Sequence, residues 1–174
     1  TDIPFIVTAE WLREHGSQNK VKILDASSHL PTTSRNAQAE FFAQRIAGAG
    51  RFDIDFIADT SSPLPHTLPS SDVFEAHMRA LGLNDEDHVI VYCDSEHLSA
   101  ARAWWMLRLF GHARVSVLNG GLKNWISNGG ATDSGPETPV TSGQFTIRSA
   151  VGANAINLAS LQRLVVDGIA GQIA

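Results

Sequence analysis

Three short apolar runs constrain the fold of this chain more than any other feature. They are "VKILD", "HVIVY" and "VSVLN", at 21–25, 88–92 and 115–119. Each is almost continuously apolar, as is typical of strands whose two faces are both covered. Segments with helical periodicity separate them, and strands that alternate with helices indicate a parallel sheet. We therefore predict an α/β fold with a central, mainly parallel sheet and helices on both faces.

The two longest helical segments carry start and stop signals. The first, "DVFEAHMRALGL", begins at Asp72, a candidate N-cap, and Gly82 is its candidate stop. The second, "AARAWWMLRLF", follows Ser99 as candidate N-cap and ends before Gly111. Its apolar residues recur on one face, so periodicity, cap and stop agree. The stretch "GGLKNWISNGG" predicts a turn and then a third, short helix.

Composition limits the classes of partner and cofactor. The 174 residues are 43% hydrophobic and 18% charged, which is typical of a folded globular protein. The net charge of −5 gives no basic footprint for nucleic acid or an anionic membrane, and no apolar run has the length of a membrane span. We therefore expect no nucleic acid and no membrane as partner. A single cysteine allows no internal disulfide, and no Cys/His spacing predicts a metal site, so we expect no cofactor and a reducing compartment.

The last third of the chain predicts a linker followed by a new unit. Residues 128–144 are rich in Gly, Pro, Ser and Thr, as linkers commonly are. After them, "INLASLQRLVVDGIAGQIA" repeats the layout of the N-terminal "IVTAEWLREHGSQNKVKIL": an apolar helix, a turn and the start of a strand. The alternative is a chance similarity, because the match is short. We predict a domain at 1–130, a linker at 131–153 and the start of a second copy at 154–174.

Four stretches together point to a known family. They are "ILDAS", "RFDID", "SSPLPHTLPS" and "SAARAWWMLRLFGHARVSVLNGGLKNW", and they are spread over most of residues 5–130. In these stretches the chain resembles the rhodanese family, and specifically the first domain of the two-domain thiosulfate and 3-mercaptopyruvate sulfurtransferases. The resemblance implies a cysteine in a second domain that takes sulfane sulfur from thiosulfate or mercaptopyruvate. It would hold the sulfur as a persulfide and pass it to a thiol or cyanide.

Cys93 is the one candidate nucleophile in this chain. It ends a predicted strand, and the interval from it to the next helix matches the loop length of the family's active loops. Against a catalytic role, the loop "DSEHLS" contains no Gly that would let several N–H groups converge, and its Asp94 and Glu96 oppose a thiolate. His97 could offset only one of them. We favour an inert or packing role, with a self-sufficient sulfurtransferase that uses Cys93 as the alternative.

A phosphatase of the same fold is a further possibility that the loop excludes. Such enzymes need Cys, five residues and then Arg, because the guanidinium grips the phosphate. Ser99 stands at that position, and Arg102 comes nearly one helical turn later. We expect Arg102 to be a buried, hydrogen-bonded structural residue.

His66 and Asp55 are the candidate substrate-orienting residues. The resemblance implies that the histidine of "SPLPH" and the last Asp of "FDID" face the second domain's active site. An Asp-His pair there could orient a hydroxyl or polarise a substrate carbonyl. The alternative is a solvated loop histidine and a turn aspartate. For Asp25 we favour a turn-capping role over ligand binding, and for Trp104, Trp105 and Trp125 we favour packing over a binding cage.

The functional prediction is a sulfurtransferase to which this chain contributes the non-catalytic first domain. Its partners would be a small sulfur donor, a thiol or cyanide acceptor and its own second rhodanese domain. A binding or regulatory module without chemistry is the remaining alternative. We expect a cytoplasmic location, with the mitochondrion as the other candidate.

Overall fold

The computed structural model describes residues 3–95, 98–148 and 155–166. Its main sheet has five strands: β1 (Ile6–Val7), β2 (Val21–Asp25), β4 (Gly50–Arg51), β5 (His88–Tyr92) and β6 (Val115–Leu118). Their order is β1-β6-β5-β2-β4, and all neighbouring pairs are parallel. Two short strands, β3 (Arg45–Ile46) and β7 (Thr132–Asp133), form a separate antiparallel pair. The predicted α/β architecture with a parallel sheet is confirmed.

Within the described ranges, six helices accompany the strands. They are α1 (Ala9–His15), α2 (Ala37–Ala43), α3 (Ser71–Ala80), α4 (Ala100–Leu109), α5 (Gly121–Ser127) and α6 (Leu158–Val166). The predicted cap at Asp72 is wrong, because Ser70 is the N-cap and its hydroxyl accepts a hydrogen bond from the Val73 amide at 3.4 Å. Asp72 instead lies in the first turn, where a carboxylate is favoured by the helix dipole. Ser99 is the N-cap of α4 as predicted, but its hydroxyl does not bond to that helix.

Strand β5 explains why its sequence is continuously apolar. It lies at the centre of the sheet, between β2 and β6, and all five of its residues are buried. Val89 and Val91 pack into the core cluster with α3 and α4, whereas Ile90 and Tyr92 pack into a second cluster with α1, α2 and α5. Both faces of the sheet are therefore covered by helices. Because side chains on either face of β5 are buried, its residues do not alternate between polar and apolar.

The segment predicted as a linker makes extensive contacts with the domain over its first part. Strand β7 pairs with β3, and the buried Arg45 guanidinium donates hydrogen bonds to the carbonyl oxygens of Gly135 and Pro136. Further on, Phe145 is fully buried in the core and packs edge-on against Phe74. Residues 131–148 thus behave as a strap on the domain, while the proposed domain boundaries stay a prediction.

Of the predicted second copy at 154–174, the structure describes residues 155–166, which include helix α6. None of its residues is buried, and Leu158 and Val166 are largely exposed. Among the described residues, no helix is long and apolar enough to cross a bilayer.

Candidate functional site

The order in which the chain adds strands to the sheet changes direction between β2 and β5. From β2 it continues outward to β4, and from β5 it continues to β6 on the other side. The carboxyl ends of β2 and β5 are therefore neighbours. The chain leaves these two ends toward opposite edges of the sheet. This is the position where parallel α/β sheets usually bind ligands. Residues 26–29 follow β2 there, and Cys93 and Asp94 follow β5.

Serine hydroxyls tie the loop after Cys93 to the loop after β2. The Asp94 amide donates to the Ser27 hydroxyl at 2.9 Å, and the Ser28 amide lies 3.0 Å from the Ser95 hydroxyl and 3.2 Å from that of Ser99. The hydroxyls of Ser95 and Ser99 also share a hydrogen bond at 2.8 Å, and both residues are buried. This serine cluster, Ser27, Ser28, Ser95 and Ser99, joins the two loops.

The backbone of the loop is shaped without glycine. Leu98 has a φ of +53°, a left-handed conformation that is uncommon for a leucine, and its amide donates to the Ser95 carbonyl at 3.3 Å. The amides of Asp94 and Leu98 are thus both bonded within the protein. From the sequence, Glu96 and His97 were expected to influence the charge beside Cys93. Both lie outside the described residues.

Two cations balance the Asp94 carboxylate. It accepts a hydrogen bond from Arg35 at 2.9 Å and lies 3.3 Å from the Lys123 ammonium. Arg35 also makes a two-atom contact with Glu40, and this hydrogen bonding, followed by that of Asp94, raises the Arg35 pKa above its usual range. His29 completes the group through a 2.8 Å contact with Glu40. The opposition of Asp94 to a thiolate at Cys93, expected from the sequence, is therefore reduced by the two cations Arg35 and Lys123.

Cys93 is half-buried at the end of β5. Its carbonyl oxygen lies directly under Gly121, where a Cβ atom would collide with it. Gly120 and Gly121 both have positive φ, at +74° and +55°, so the Gly-Gly turn combines a left-handed backbone with close approach to the loop. The turn before α5 therefore fixes the position of the Cys93 backbone.

Asp55 and His66, the two candidate substrate-orienting residues, lie together. His66 Nε2 is 2.8 Å from Asp55 Oδ1, and both side chains are exposed, by 44% and 70% respectively. His66 has a φ of +56°, and its carbonyl oxygen accepts a hydrogen bond from Arg102 at 2.8 Å. The Arg102 guanidinium itself stacks on Trp105, 4.7 Å from the ring centroid. The histidine is thus held through its backbone as well as through its ring.

His66 and the loop after Cys93 border one groove. Its volume is about 440 Å³, and its walls include Ser28, Leu30, His66, Leu98, Ser99 and Arg102. Large apolar side chains are exposed on and near this face: Leu30 by 56%, Phe56 by 72%, Leu64 by 69% and Leu98 by 70%. An imidazole–carboxylate pair bordered by exposed apolar side chains is typical of a site that another surface completes.

The family model described as a rhodanese-like domain matches residues 8–128. The chain belongs to the rhodanese family. It is 45% identical to 3-mercaptopyruvate sulfurtransferase of Escherichia coli K12 over 122 residues, which is 70% of this chain and 43% of that protein. It is 39% identical to human 3-mercaptopyruvate sulfurtransferase over 140 residues, 77% of this chain and 47% of the relative.

Solved structures agree with the assignment of this rhodanese domain. The crystal structure of a 3-mercaptopyruvate sulfurtransferase from Escherichia coli superimposes with a TM-score of 0.86 and 35% identity, covering 97% of this chain and 63% of that one. The Tum1 protein of Saccharomyces cerevisiae shares the fold, with a TM-score of 0.81 at 24% identity. The chain spans about half the length of the curated relatives it matches.

The remaining candidates in the rhodanese domain have structural roles. Asp25 accepts a hydrogen bond from the Ser27 amide at 2.7 Å, which is the turn-capping role favoured for it. The indoles of Trp104 and Trp125 donate to the carbonyl oxygens of Val115 and Ala131. Within the described parts of the chain, no three His, Cys, Asp or Glu side chains are grouped so as to hold a metal ion.

Sequence reasoning missed the serine cluster and the two cations on Asp94. The quoted "ILDAS" stretch contains Ser27 but does not indicate the role of its hydroxyl. Arg35 stands 59 residues before Asp94, and no local pattern connects them. Only the parallel register of β2 and β5 brings these residues to one end of the sheet.

Proposed function

We propose that this chain is the first, non-catalytic domain of a two-domain sulfurtransferase of the rhodanese or 3-mercaptopyruvate type. The whole protein would move sulfane sulfur from thiosulfate or 3-mercaptopyruvate to a thiol or cyanide, through a persulfide on a cysteine of its second domain. The curated relatives carry such names and are about twice as long as the matched part. Neither a metal nor a cofactor takes part, and the cytoplasm or the mitochondrion is the expected compartment.

The hydrogen-bonded pair of Asp55 and His66 carries this proposal. With its Nε2–H donated to the Asp55 carboxylate at 2.8 Å, the neutral imidazole leaves Nδ1 as a hydrogen-bond acceptor. Among the described residues, His66 Nδ1 has no hydrogen-bond partner. It can therefore orient a hydroxyl of the facing domain or take up a proton from a thiol acceptor. A protonated ring would instead donate to a substrate carbonyl.

In the whole protein, the second rhodanese domain would cover the exposed apolar side chains around that pair. Leu30 and Leu98, which line the groove, are exposed by 56% and 70%, and grouped exposed apolar side chains commonly mark a surface that a partner buries. The matched part of this chain accounts for 43% and 47% of the two relatives above, so a second domain of the whole protein is the expected occupant. The groove beside His66 would then form one wall of the active cleft.

The loop after Cys93 supports a non-catalytic role by its hydrogen bonding. A persulfide anion needs several backbone N–H groups aimed at the terminal sulfur. Here the Asp94 amide is committed to the Ser27 hydroxyl and the Leu98 amide to the Ser95 carbonyl. The hydroxyls of Ser95 and Ser99, in turn, accept from the Ser28 amide. We therefore attribute the proposed non-catalytic role to the use of these amides more than to the charge of Asp94.

Substitution of the pair tests the proposal in the two-domain protein. His66→Ala and Asp55→Asn are expected to lower kcat/KM for the sulfur donor, with the larger loss for His66→Ala because it removes the acting group. His77→Ala on α3 is the matched control, because no side-chain hydrogen bond is recorded for it among the described residues. Unchanged kinetics in both variants would favour the alternative, a binding or regulatory module without chemistry.

A self-sufficient sulfurtransferase that uses Cys93 is the second candidate. The observation that favours it is the ion pairing of Asp94 with Arg35 and Lys123, which removes one charge that opposes a thiolate. Incubation of the chain with thiosulfate and intact mass measurement would then show one added sulfur atom. The absence of the adduct under conditions that load a control rhodanese would exclude this candidate.

A further inference from the structure

The turn that carries Asp55 lies just after strand β4. The Asp55 amide donates a hydrogen bond to Oδ1 of the Asp53 carboxylate at 2.9 Å, and the Ile57 amide donates to the Asp53 carbonyl oxygen, also at 2.9 Å. Asp53 therefore closes the turn with its side chain as well as with its main chain. Contacts of this kind are the physical reason why aspartate is favoured in turns.

Arg51, the last residue of β4, anchors this turn to the main sheet. One of its guanidinium nitrogens donates to the carbonyl oxygens of Asp25 and Ser27, at 3.4 Å and 2.7 Å. The other terminal nitrogen lies 3.8 Å from the Asp53 carboxylate. Only 8% of the Arg51 side chain is exposed, so water weakens these contacts little. The Asp53 carboxylate is thus tied to the carboxyl end of β2.

The two members of the candidate pair are anchored from different elements. Asp55 is held by Asp53 after β4, whereas the His66 carbonyl oxygen is held by Arg102 of α4. The side chains of Asp55 and His66 are exposed by 70% and 44%, so little packing fixes their separation. The 2.8 Å contact between Asp55 Oδ1 and His66 Nε2 therefore depends on how firmly each backbone is held.

We propose that Asp53, with Arg51 behind it, is a positioning residue for the Asp55–His66 pair. By holding the Asp55 amide, Asp53 keeps the Asp55 carboxylate on the Nε2 side of the imidazole, which leaves Nδ1 of His66 as the acceptor. Asp53 does not line the groove beside His66, so it acts through Asp55. The inference rests on the function proposed above, in which that acceptor faces the second domain.

Two substitutions of Asp53 test the contact with the Asp55 amide. Asp53→Asn keeps a side-chain oxygen that can accept from this amide, whereas Asp53→Ala removes the acceptor. A hydrogen bond to a charged group is worth about tenfold, so Asp53→Ala should lower kcat of the two-domain protein by up to about tenfold, with a smaller change in KM. Asp53→Asn should recover most of that loss.

Asp133→Ala is the matched control for the loss of a carboxylate. Asp133 also accepts a hydrogen bond from a backbone amide, that of Gly48, at 2.8 Å. It lies on β7, in the separate antiparallel pair with β3. Its removal should therefore leave kcat unchanged.

The tautomer of His66 gives a readout that needs no catalysis. In the 174-residue chain, NMR records the ring nitrogen shifts of His66 at a pH where the imidazole is neutral, and a His66→Gln chain identifies the signals. In Asp53→Ala the shifts should move toward those of an Asp55→Ala chain, in which the contact is absent. In Asp53→Asn and Asp133→Ala they should stay unchanged. A loss of stability alone would not alter the tautomer of the folded molecules.

The two readouts also separate this inference from the proposed function. In a two-domain protein that His66→Ala slows, equal kcat in Asp53→Ala and Asp53→Asn would refute the positioning role. Unchanged ring nitrogen shifts in Asp53→Ala would refute it as well. Adding Asp53→Ala to an Asp55→Ala protein should cost almost nothing further, and an additive loss would contradict the role. If His66→Ala itself leaves the kinetics unchanged, the proposed function fails instead, while the NMR shifts still decide whether Asp53 holds the pair.

Discussion

The Nη2 atom of Arg102 donates a hydrogen bond to the carbonyl oxygen of His66 at 2.8 Å, although the two residues are 36 positions apart. Arg102 lies on α4, directly after the loop that follows Cys93, and its guanidinium stacks on Trp105. Arg102 thus contacts the turn of the Pro-rich segment that contains His66, a residue with a positive φ. The helix that follows the loop therefore also positions the candidate substrate-orienting residue.

Arg102→Gln should lower turnover of the two-domain protein by loosening His66. A hydrogen bond from a charged group is worth about 1.5–3 kcal/mol, so a loss of about tenfold in kcat with a smaller change in KM is expected. Arg108→Gln on the same helix is the control, because Arg108 packs on Phe5 and Trp104 instead. The measurement is steady-state kinetics with the sulfur donor.

A double-mutant cycle separates positioning from a general structural role. If Arg102 acts through His66, adding Arg102→Gln to a His66→Ala protein should cost almost nothing further. Additive losses in the double variant would contradict the positioning role, because they would place the effect of Arg102 elsewhere.

The fold was predictable because its strongest signal is physical and local. A strand buried on both faces has to be apolar at every position, and "HVIVY" is such a strand. The start of α3 was missed because Ser70 and Asp72 are both good N-cap residues, two positions apart, and the sequence does not rank them. The linker prediction came from the Gly and Pro content of the segment. A single residue such as Phe145 changes that content little, so its burial in the core was not predicted.

The site was predictable only where a motif carried it. Asp55 and His66 were predicted as a pair from the family resemblance, and their 2.8 Å contact agrees with it. The charge balance around Asp94 depends on Arg35 and Lys123, which are brought together by the order of the strands rather than by spacing. Local sequence therefore showed the opposing carboxylate and not the cations that compensate it.

Phe145→Ala should destabilise the domain strongly, although it lies in a Gly/Pro-rich segment. Its ring is fully buried and packs edge-on against Phe74 and tilted against His112. Truncation of such a phenylalanine costs about 3–5 kcal/mol of unfolding free energy. Urea unfolding measures the loss, and Phe42→Ala, whose ring is 42% exposed, is the control, with an expected loss of about 1 kcal/mol or less. Equal losses would mean that residues 131–148 do not act as part of the folded domain.

Gly121→Ala should destabilise the domain more than Gly129→Ala does. Both glycines have positive φ, at +55° and +74°, so a side chain costs about 1–2 kcal/mol of backbone strain at either position. A Cβ at Gly129 meets nothing within 4 Å, whereas at Gly121 it collides with the Cys93 carbonyl oxygen. The collision adds about 1–3 kcal/mol, and urea unfolding of both variants measures the difference. Equal values would show that the turn can move away from Cys93 at no cost.

The buried His88 at the start of β5 should make the stability of the domain fall in mild acid. Burial, helped by the positive charge of Arg114, lowers the His88 pKa from 6.5 to about 4, and its Nε2 lies 2.8 Å from the Ser116 hydroxyl. The unfolded chain therefore takes up a proton at higher pH than the folded one. The His88 contribution to stability is complete above pH 6.5 and is lost as the pH falls toward about 4.

The loss at His88 amounts to at most about 3 kcal/mol, since one pKa unit corresponds to about 1.4 kcal/mol. His112, whose pKa burial also lowers, adds to the same pH dependence. Urea unfolding between pH 4 and pH 7 measures it. His88→Gln should flatten the dependence, His112→Gln should flatten it in part, and the double variant should flatten it most. A His88→Gln protein that keeps the full slope would show that other groups cause the acid sensitivity.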